Sequence, residues 1–148
     1  MRKEKMGKYT IALFVDSENC IRQDTGVTFD EIMAVAGEYG DVAMARAYVN
    51  TSFEQYTGFL KAILLSGFER VDNSGNVDTK LAVDVGVLVA ERDDIDMVAL
   101  AAADRDYLPI IYASREHKKD SLILLPRSCE VLERAATYSR RLGNFGKK

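Results

Sequence analysis

The feature that most constrains this chain is Tyr9 to Asn19, Y-T-I-A-L-F-V-D-S-E-N, an apolar run that stops abruptly at Asp16 and passes into Ser17, Glu18 and Asn19. Its β-branched and aromatic members, with almost no polar interruption, read as a strand buried on both faces. Such a strand belongs to a parallel sheet with helices on either side. Its last residues push carboxylate and amide groups into a crevice beyond the strand's carboxyl end.

The rest of the chain alternates strand and helix. Thr28 and Glu31 have capping-box spacing ahead of I-M-A-V-A, which predicts a helix over 28–39 ended by Gly40. A second strand follows over 41–50, and Ser52 with Gln55 caps a helix reaching Leu65. Phe68 to Val71 is a third strand, and D-N-S-G-N at Asp72 to Asn76 is a turn. In Leu81 to Ala90 valine recurs at every second position, the period of a strand. Topology decides against a strand there, because the parallel neighbours on either side need a crossover, usually a helix. We therefore expect a helix over 77–91, a fourth strand over 96–103 and a helix over 107–117 opening near Pro109. A fifth strand over 121–126 and a last helix over 128–142 complete the chain. This predicts a doubly wound, three-layer α/β sandwich on a mainly parallel five-stranded sheet, in the order 3-2-1-4-5.

The 148 residues suit one domain, with basic ends at about 1–8 and 143–148, and need no metal or disulfide to fold. Cys20 and Cys129 form no metal-binding spacing and read as reduced thiols. With no signal-peptide pattern and no apolar run near the ~20 residues of a membrane span, the expectation is a cytoplasmic protein that does not engage a membrane. A formal net charge of −3 argues against holding nucleic acid by bulk charge. Any contact with nucleic acid must be local, at basic residues such as Arg140 and Arg141 near the end of the chain.

The carboxylates carry the chemical signal. In an open α/β sheet, ligands bind beyond the carboxyl ends of strands where the strand order reverses. Asp16 closes the first strand, Asp104 and Asp106 in A-A-A-D-R-D-Y close the fourth, and Asp78 opens the helix entering the same edge. In the order above these acids face one another with Asn19 beside them. Crowded carboxylates repel, and a hard divalent cation with oxygen ligands, Mg²⁺ or Mn²⁺, resolves that repulsion. The competing explanation is that single aspartates at strand ends cap turns and helices. Asp84 is less secure as a ligand: it lies six residues beyond Asp78, an angular offset of about 240° on a helix, and Lys80 is placed to pair with it.

Three segments, V-D-S-E-N at Val15 to Asn19, V-D-T-K-L-A-V-D at Val77 to Asp84 and A-A-D-R-D-Y-L-P at Ala102 to Pro109, together resemble the NYN domains, a branch of the PIN-like nucleases. The resemblance covers nearly the whole chain. It implies a Rossmann-like PIN fold and a metal-dependent ribonuclease site in which Asp16, Asn19, Asp78, Asp104 and Asp106 match the family's polar positions, with Asp84 a further acid. The chain departs from the pattern where Ala103 and Arg105 replace a glycine and a small serine, and where Gly75 and Asn76 replace a lysine and a glycine.

The expected function is hydrolysis of phosphodiester bonds in single-stranded RNA with Mg²⁺ or Mn²⁺, by catalytic Asp16, Asn19, Asp78, Asp104 and Asp106. Asp16, Asp78, Asp104, Asp106 and less securely Asp84 would be metal ligands, and Arg105, Arg140 and Arg141 would contact the RNA. Two alternatives stay open: a non-catalytic RNA-binding module on the same fold, and a receiver-like signalling domain with Asp72 as its acceptor. The sequence does not reveal the oligomeric state, and a homodimer is among the states it allows.

Overall fold

A computed structural model describes residues 8–52 and 56–147. Six strands form one sheet in the order β3-β2-β1-β4-β5-β6, and every neighbouring pair is parallel. The strands are β1 (Tyr9–Asp16), β2 (Gly40–Asn50), β3 (Glu69–Asn73), β4 (Met97–Ala101), β5 (Asp120–Leu125) and β6 (Tyr138–Arg141). The helices are α1 (Ser17–Cys20), α2 (Phe29–Gly37), α3 (Tyr56–Leu65), α4 (Asp78–Glu91), α5 (Leu108–Glu116) and α6 (Glu130–Ala135). Short 3₁₀ turns lie at Arg105–Tyr107 and Gly143–Lys147.

Strand β1 is the centre of the packing, as its apolar run implies. Ile11, Leu13 and Val15 face a core shared with Phe29 and Ile32 of α2 and with Phe59 and Ile63 of α3. Ala12 and Phe14 face the opposite core, built with Leu81, Val85 and Leu88 of α4, Ile110 of α5 and Leu132 of α6. A strand covered on both faces has no side on which to place a polar residue, which is why the run from Ile11 to Val15 is unbroken.

The helix over the alternating valines is real. Leu81, Val85, Leu88 and Val89 are buried, whereas Val83 is 57% and Val87 50% exposed. Residues four apart share a helix face, so the alternation divides into one buried and one solvated valine pair. Thr28 caps α2 as expected, its Oγ1 accepting from Glu31 N at 3.1 Å. The other half of the box is used elsewhere, because Glu31 Oε2 accepts from Gly143 N at 2.9 Å. Gly40 opens β2, and a Cβ there would collide with the backbone oxygen of Tyr9. The cap expected at Gln55 lies outside the described residues, as do most of the basic N-terminal side chains.

The expected order 3-2-1-4-5 holds for the first five strands, and the C-terminal segment extends it. A single helix over 128–142 does not form: α6 stops at Ala135 and the chain adds a sixth strand beside β5. Two reciprocal bonds start that pairing, Ser121 N to Thr137 Oγ1 at 3.0 Å and Thr137 N to Ser121 Oγ at 3.1 Å. Tyr138 then packs edge-on against Tyr9, their ring centroids 6.1 Å apart, while its hydroxyl lies 3.1 Å from that of Tyr9. The open edge of β5 and these aromatic contacts outweigh the helix propensity of the residues before Ala136. Arg140 and Arg141 are accordingly strand residues, not part of a basic tail, and Gly143–Lys147 turns back onto the domain, with Asn144 N bonded to Thr25 O at 2.8 Å.

Candidate metal centre

The connections from β1 and β4 leave towards opposite faces of the sheet, α2 on one and α5 on the other, so a crevice opens between their carboxyl ends. A cleft of about 290 Å³ lies there, lined by Asp16, Glu18, Asn19, Arg22, Asn76, Asp78, Asp104 and Asp106. Within it, one carboxylate oxygen from each of Asp78, Asp104 and Asp106 lies within 4.8 Å of the other two. Asp78 thus meets Asp104 and Asp106, which lie 26 and 28 positions further along the chain, as the sequence implied.

Local structure fixes each acid. Asp78 is the first residue of α4, its Oδ1 accepting from Thr79 N at 2.8 Å. Asp104 caps the 3₁₀ turn, its Oδ1 accepting from Asp106 N at 2.9 Å. The capping explanation is therefore correct for Asp104 and incomplete, since the same side chain also belongs to the cluster. Asp16 sits deeper, only 8% exposed, with its Oδ2 accepting from the Tyr107 hydroxyl at 2.7 Å. Burial raises the Asp16 pKa; the Tyr107 bond and the Asn19 backbone amide oppose that rise, while Asp104 and Asp78 reinforce it.

Asn19 is a staple. Its Oδ1 accepts from Ala103 N at 2.8 Å, and its backbone oxygen accepts from Arg127 Nη1 at 2.8 Å, which ties the ends of β1, β4 and β5 together. Glu18, which the sequence aimed at the crevice without giving it a role, is a member of the cleft. One of its oxygens accepts from Asn50 N at 3.0 Å, while the other is buried and meets no hydrogen-bond partner among the described residues. Burial, with a further push from Asp16, raises its pKa to about 7. Tyr107 and Glu18 both stand inside the segments quoted above, but no spacing rule distinguishes a phenol or carboxylate turned towards the site from one turned to solvent.

The structure does not bring Asp84 into the cleft. Its carboxylate takes a 2.7 Å bond from the buried Tyr48 hydroxyl and a 3.2 Å ion pair from Lys80, beside a separate groove containing Arg46 and Arg92. Arg105 is exposed on the 3₁₀ turn and is not among the lining residues. Arg140 is paired with Glu38 at 2.7 Å, and Arg141 with Glu133 at 3.4 Å while its guanidinium lies over the Phe145 ring. Asp72 lies on the edge strand β3 beside Arg70, and a receiver's 2-1-3-4-5 order is absent, which removes the signalling alternative.

The donor set fits a hard divalent cation. Five carboxylates line the cleft against one guanidinium, that of Arg22, which is itself paired with Asp24 at 3.4 Å. An unpartnered buried carboxylate oxygen beside them is a further acceptor, able to bond a cation's hydration shell.

A parallel α/β sandwich with an acid cluster at its switch point defines the general class. The chain belongs to the NYN domain family, whose pattern it matches over residues 10–142, a branch of the PIN-like nucleases. It is 31% identical over 145 residues to an uncharacterized protein of Methanocaldococcus jannaschii, a match covering 95% of this chain and 58% of that relative's length. The crystal structure of a protein of unknown function from Vibrio parahaemolyticus has the same fold, with a TM-score of 0.79 at 19% identity, covering 94% of this chain and 96% of the other. Among the described residues no helix is long and apolar enough to cross a membrane.

Proposed function

We propose that the protein is a Mg²⁺- or Mn²⁺-dependent ribonuclease acting on single-stranded RNA. The observation that carries this reading is the approach of the Asp78, Asp104 and Asp106 carboxylates to within 4.8 Å of one another in the cleft that also holds Asp16. Those four residues would hold the cation. When bound, it supplies positive charge that lowers the pKa of a water nucleophile and offsets charge on the leaving oxygen.

The remaining residues prepare the cleft. Tyr107 fixes the Asp16 carboxylate and favours its ionised form against burial. Asn19 and Arg127 hold the strand ends at a fixed separation, which keeps the acids from spreading under their own repulsion. Glu18, protonated up to about pH 7 in the absence of a cation, limits the negative charge of the empty cleft. Without a cation, the cleft repels a phosphodiester.

The family supports a nuclease, and the choice of RNA rests on that membership. The test is turnover of single-stranded RNA by purified protein with Mn²⁺ or Mg²⁺. Cleavage is expected, EDTA should stop it, and Asp16→Asn and Asp104→Asn should each lower the rate by at least ~100-fold, the scale of losing an electrostatic stabiliser of the transition state. Cleavage that survives in Asp16→Asn points to a contaminant. Failure of the parent to cut varied RNAs with either metal favours a binding module, with Ala103 and Arg105 the first positions to revert.

A further inference from the structure

Asn50 is the last residue of β2, is only 7% exposed, and does not line the acidic cleft. Two of its bonds nevertheless reach segments that border the cleft. Its backbone N–H donates to Glu18 at 3.0 Å. Its side-chain Oδ1 accepts two backbone amides, Ser52 N at 2.9 Å and Gly75 N at 3.0 Å. The Gly75 bond crosses from the end of β2 to the turn that follows β3, three residues before Asp78. Two further bonds hold that turn, Thr51 N to Asn73 O at 2.9 Å and Asn73 Nδ2 to Asn76 O at 2.7 Å.

We infer that Asn50 is a positioning residue for the metal centre, a latch that sets cation affinity by holding Glu18 on one side and the Gly75 to Asp78 turn on the other. This rests on the metal-dependent reading above. The reasoning is geometric. Asp78 reaches the cluster only if α4 begins at the right place; Val77, 4% exposed, anchors that start in the core, but the turn before it, residues 74–76, buries nothing apolar and depends on hydrogen bonds for its path. A buried amide oxygen that accepts two N–H groups is a short, directional tether, since an amide left without its partner away from water is destabilising. Gly75 supports the same arrangement: its φ of +99° is a conformation side chains rarely adopt, although a Cβ there would meet nothing within 4 Å. Glycine is therefore required by the path of the backbone into the latch and not by space.

An asparagine that serves folding alone would change stability and leave cation affinity untouched. The deciding measurement is Mn²⁺ affinity by titration calorimetry on full-length protein, with circular dichroism to confirm the fold. Asn50→Leu is expected to bind Mn²⁺ about tenfold or more weakly, the usual effect of losing a residue that orients metal ligands. Asn50→Asp keeps the acceptor and is expected to bind at least as tightly as the parent. Parental affinity in folded Asn50→Leu, or equal losses in the Leu and Asp variants, overturns the proposal. Should Asn50→Leu fail to fold, Gly75→Ala decides: its strain displaces the turn without touching the core, and unchanged Mn²⁺ affinity there also overturns the latch. A parent that binds Mn²⁺ without cutting RNA removes the nuclease reading and leaves the latch standing. A parent that binds neither Mn²⁺ nor Mg²⁺ removes both.

Discussion

The hydroxyl of Tyr107 donates to Asp16 Oδ2 at 2.7 Å across 91 residues of sequence, and both partners are buried. The bond joins the end of the central strand to the turn that carries Asp104 and Asp106, so the deepest acid and the two shallower ones are held in one frame. Tyr107→Phe keeps the ring in its core and deletes only the donor. It is expected to lower stability by about 1–3 kcal/mol in urea denaturation and to weaken Mn²⁺ binding, because the Asp16 carboxylate loses the group that offsets its burial. Unchanged affinity for Mn²⁺ would show that Asp16 lies outside the cation's reach.

Val83 separates backbone from side-chain effects in α4. Its side chain is 57% exposed, so Val83→Pro removes little packing, yet it deletes a mid-helix N–H and clashes with the preceding turn. A loss of about 3 kcal/mol or more is expected, whereas Asp84→Asn, which can still accept from Tyr48, should keep the fold. Chemical denaturation of the two variants checks both.

These two cases mark what can be read from the chain. Helix α4 was legible because topology outranks local periodicity: parallel strands on either side demand a crossover whatever the valines prefer. The convergence of Asp78, Asp104 and Asp106 followed from strand order together with the place of Asp78 at the start of the crossover helix. Strand β6 was not legible, because Y-S-R-R has no alternation of its own and is recruited by Ser121, Tyr9 and the open edge of β5. Asp84 was misleading for a related reason: the partner that explains a carboxylate in an apolar helix is Tyr48, 36 residues away, which no spacing rule connects to it. The roles of Glu18 and Asn50 were not legible for the same cause, since they lie in tertiary hydrogen bonds.

Glu18 gives the metal-free protein a pH dependence of unusual sign. The carboxyl titrates near 4.5 when free and near 7 in the fold, so between those values the folded state binds more protons than the unfolded one. Stability in chelator should therefore fall as pH rises from about 4.5 to about 7, and the raised pKa of Asp16 acts in the same sense. Asp94, held down to about 2 by Arg92, acts in the opposite sense and only below about 4, outside that window. Glu18→Gln should flatten the slope. Denaturation midpoints across the pH range, with EDTA present, measure it, and an equal slope in parent and variant would mean that Glu18 is ionised throughout.

Asp104 performs two roles that one pair of substitutions can separate. Its Oδ1 caps the turn at Asp106 N, and its charge sits with those of Asp78 and Asp106. Asp104→Asn keeps a capping oxygen and removes the charge, so in chelator it should be more stable than the parent by about 1 kcal/mol, the scale of one relieved like-charge contact near 4 Å in water. Asp104→Ala removes both, and loss of the cap, typically about 1 kcal/mol, should cancel the gain. With Mn²⁺ at about 100 times its dissociation constant the parent gains about 2.7 kcal/mol, and both variants should lose most of that gain. Thermal melts with EDTA and with Mn²⁺ resolve the three proteins. An Asp104→Asn protein that is less stable than the parent in EDTA and responds fully to Mn²⁺ would reduce Asp104 to a cap and move the cation towards Asp16 and Asp78.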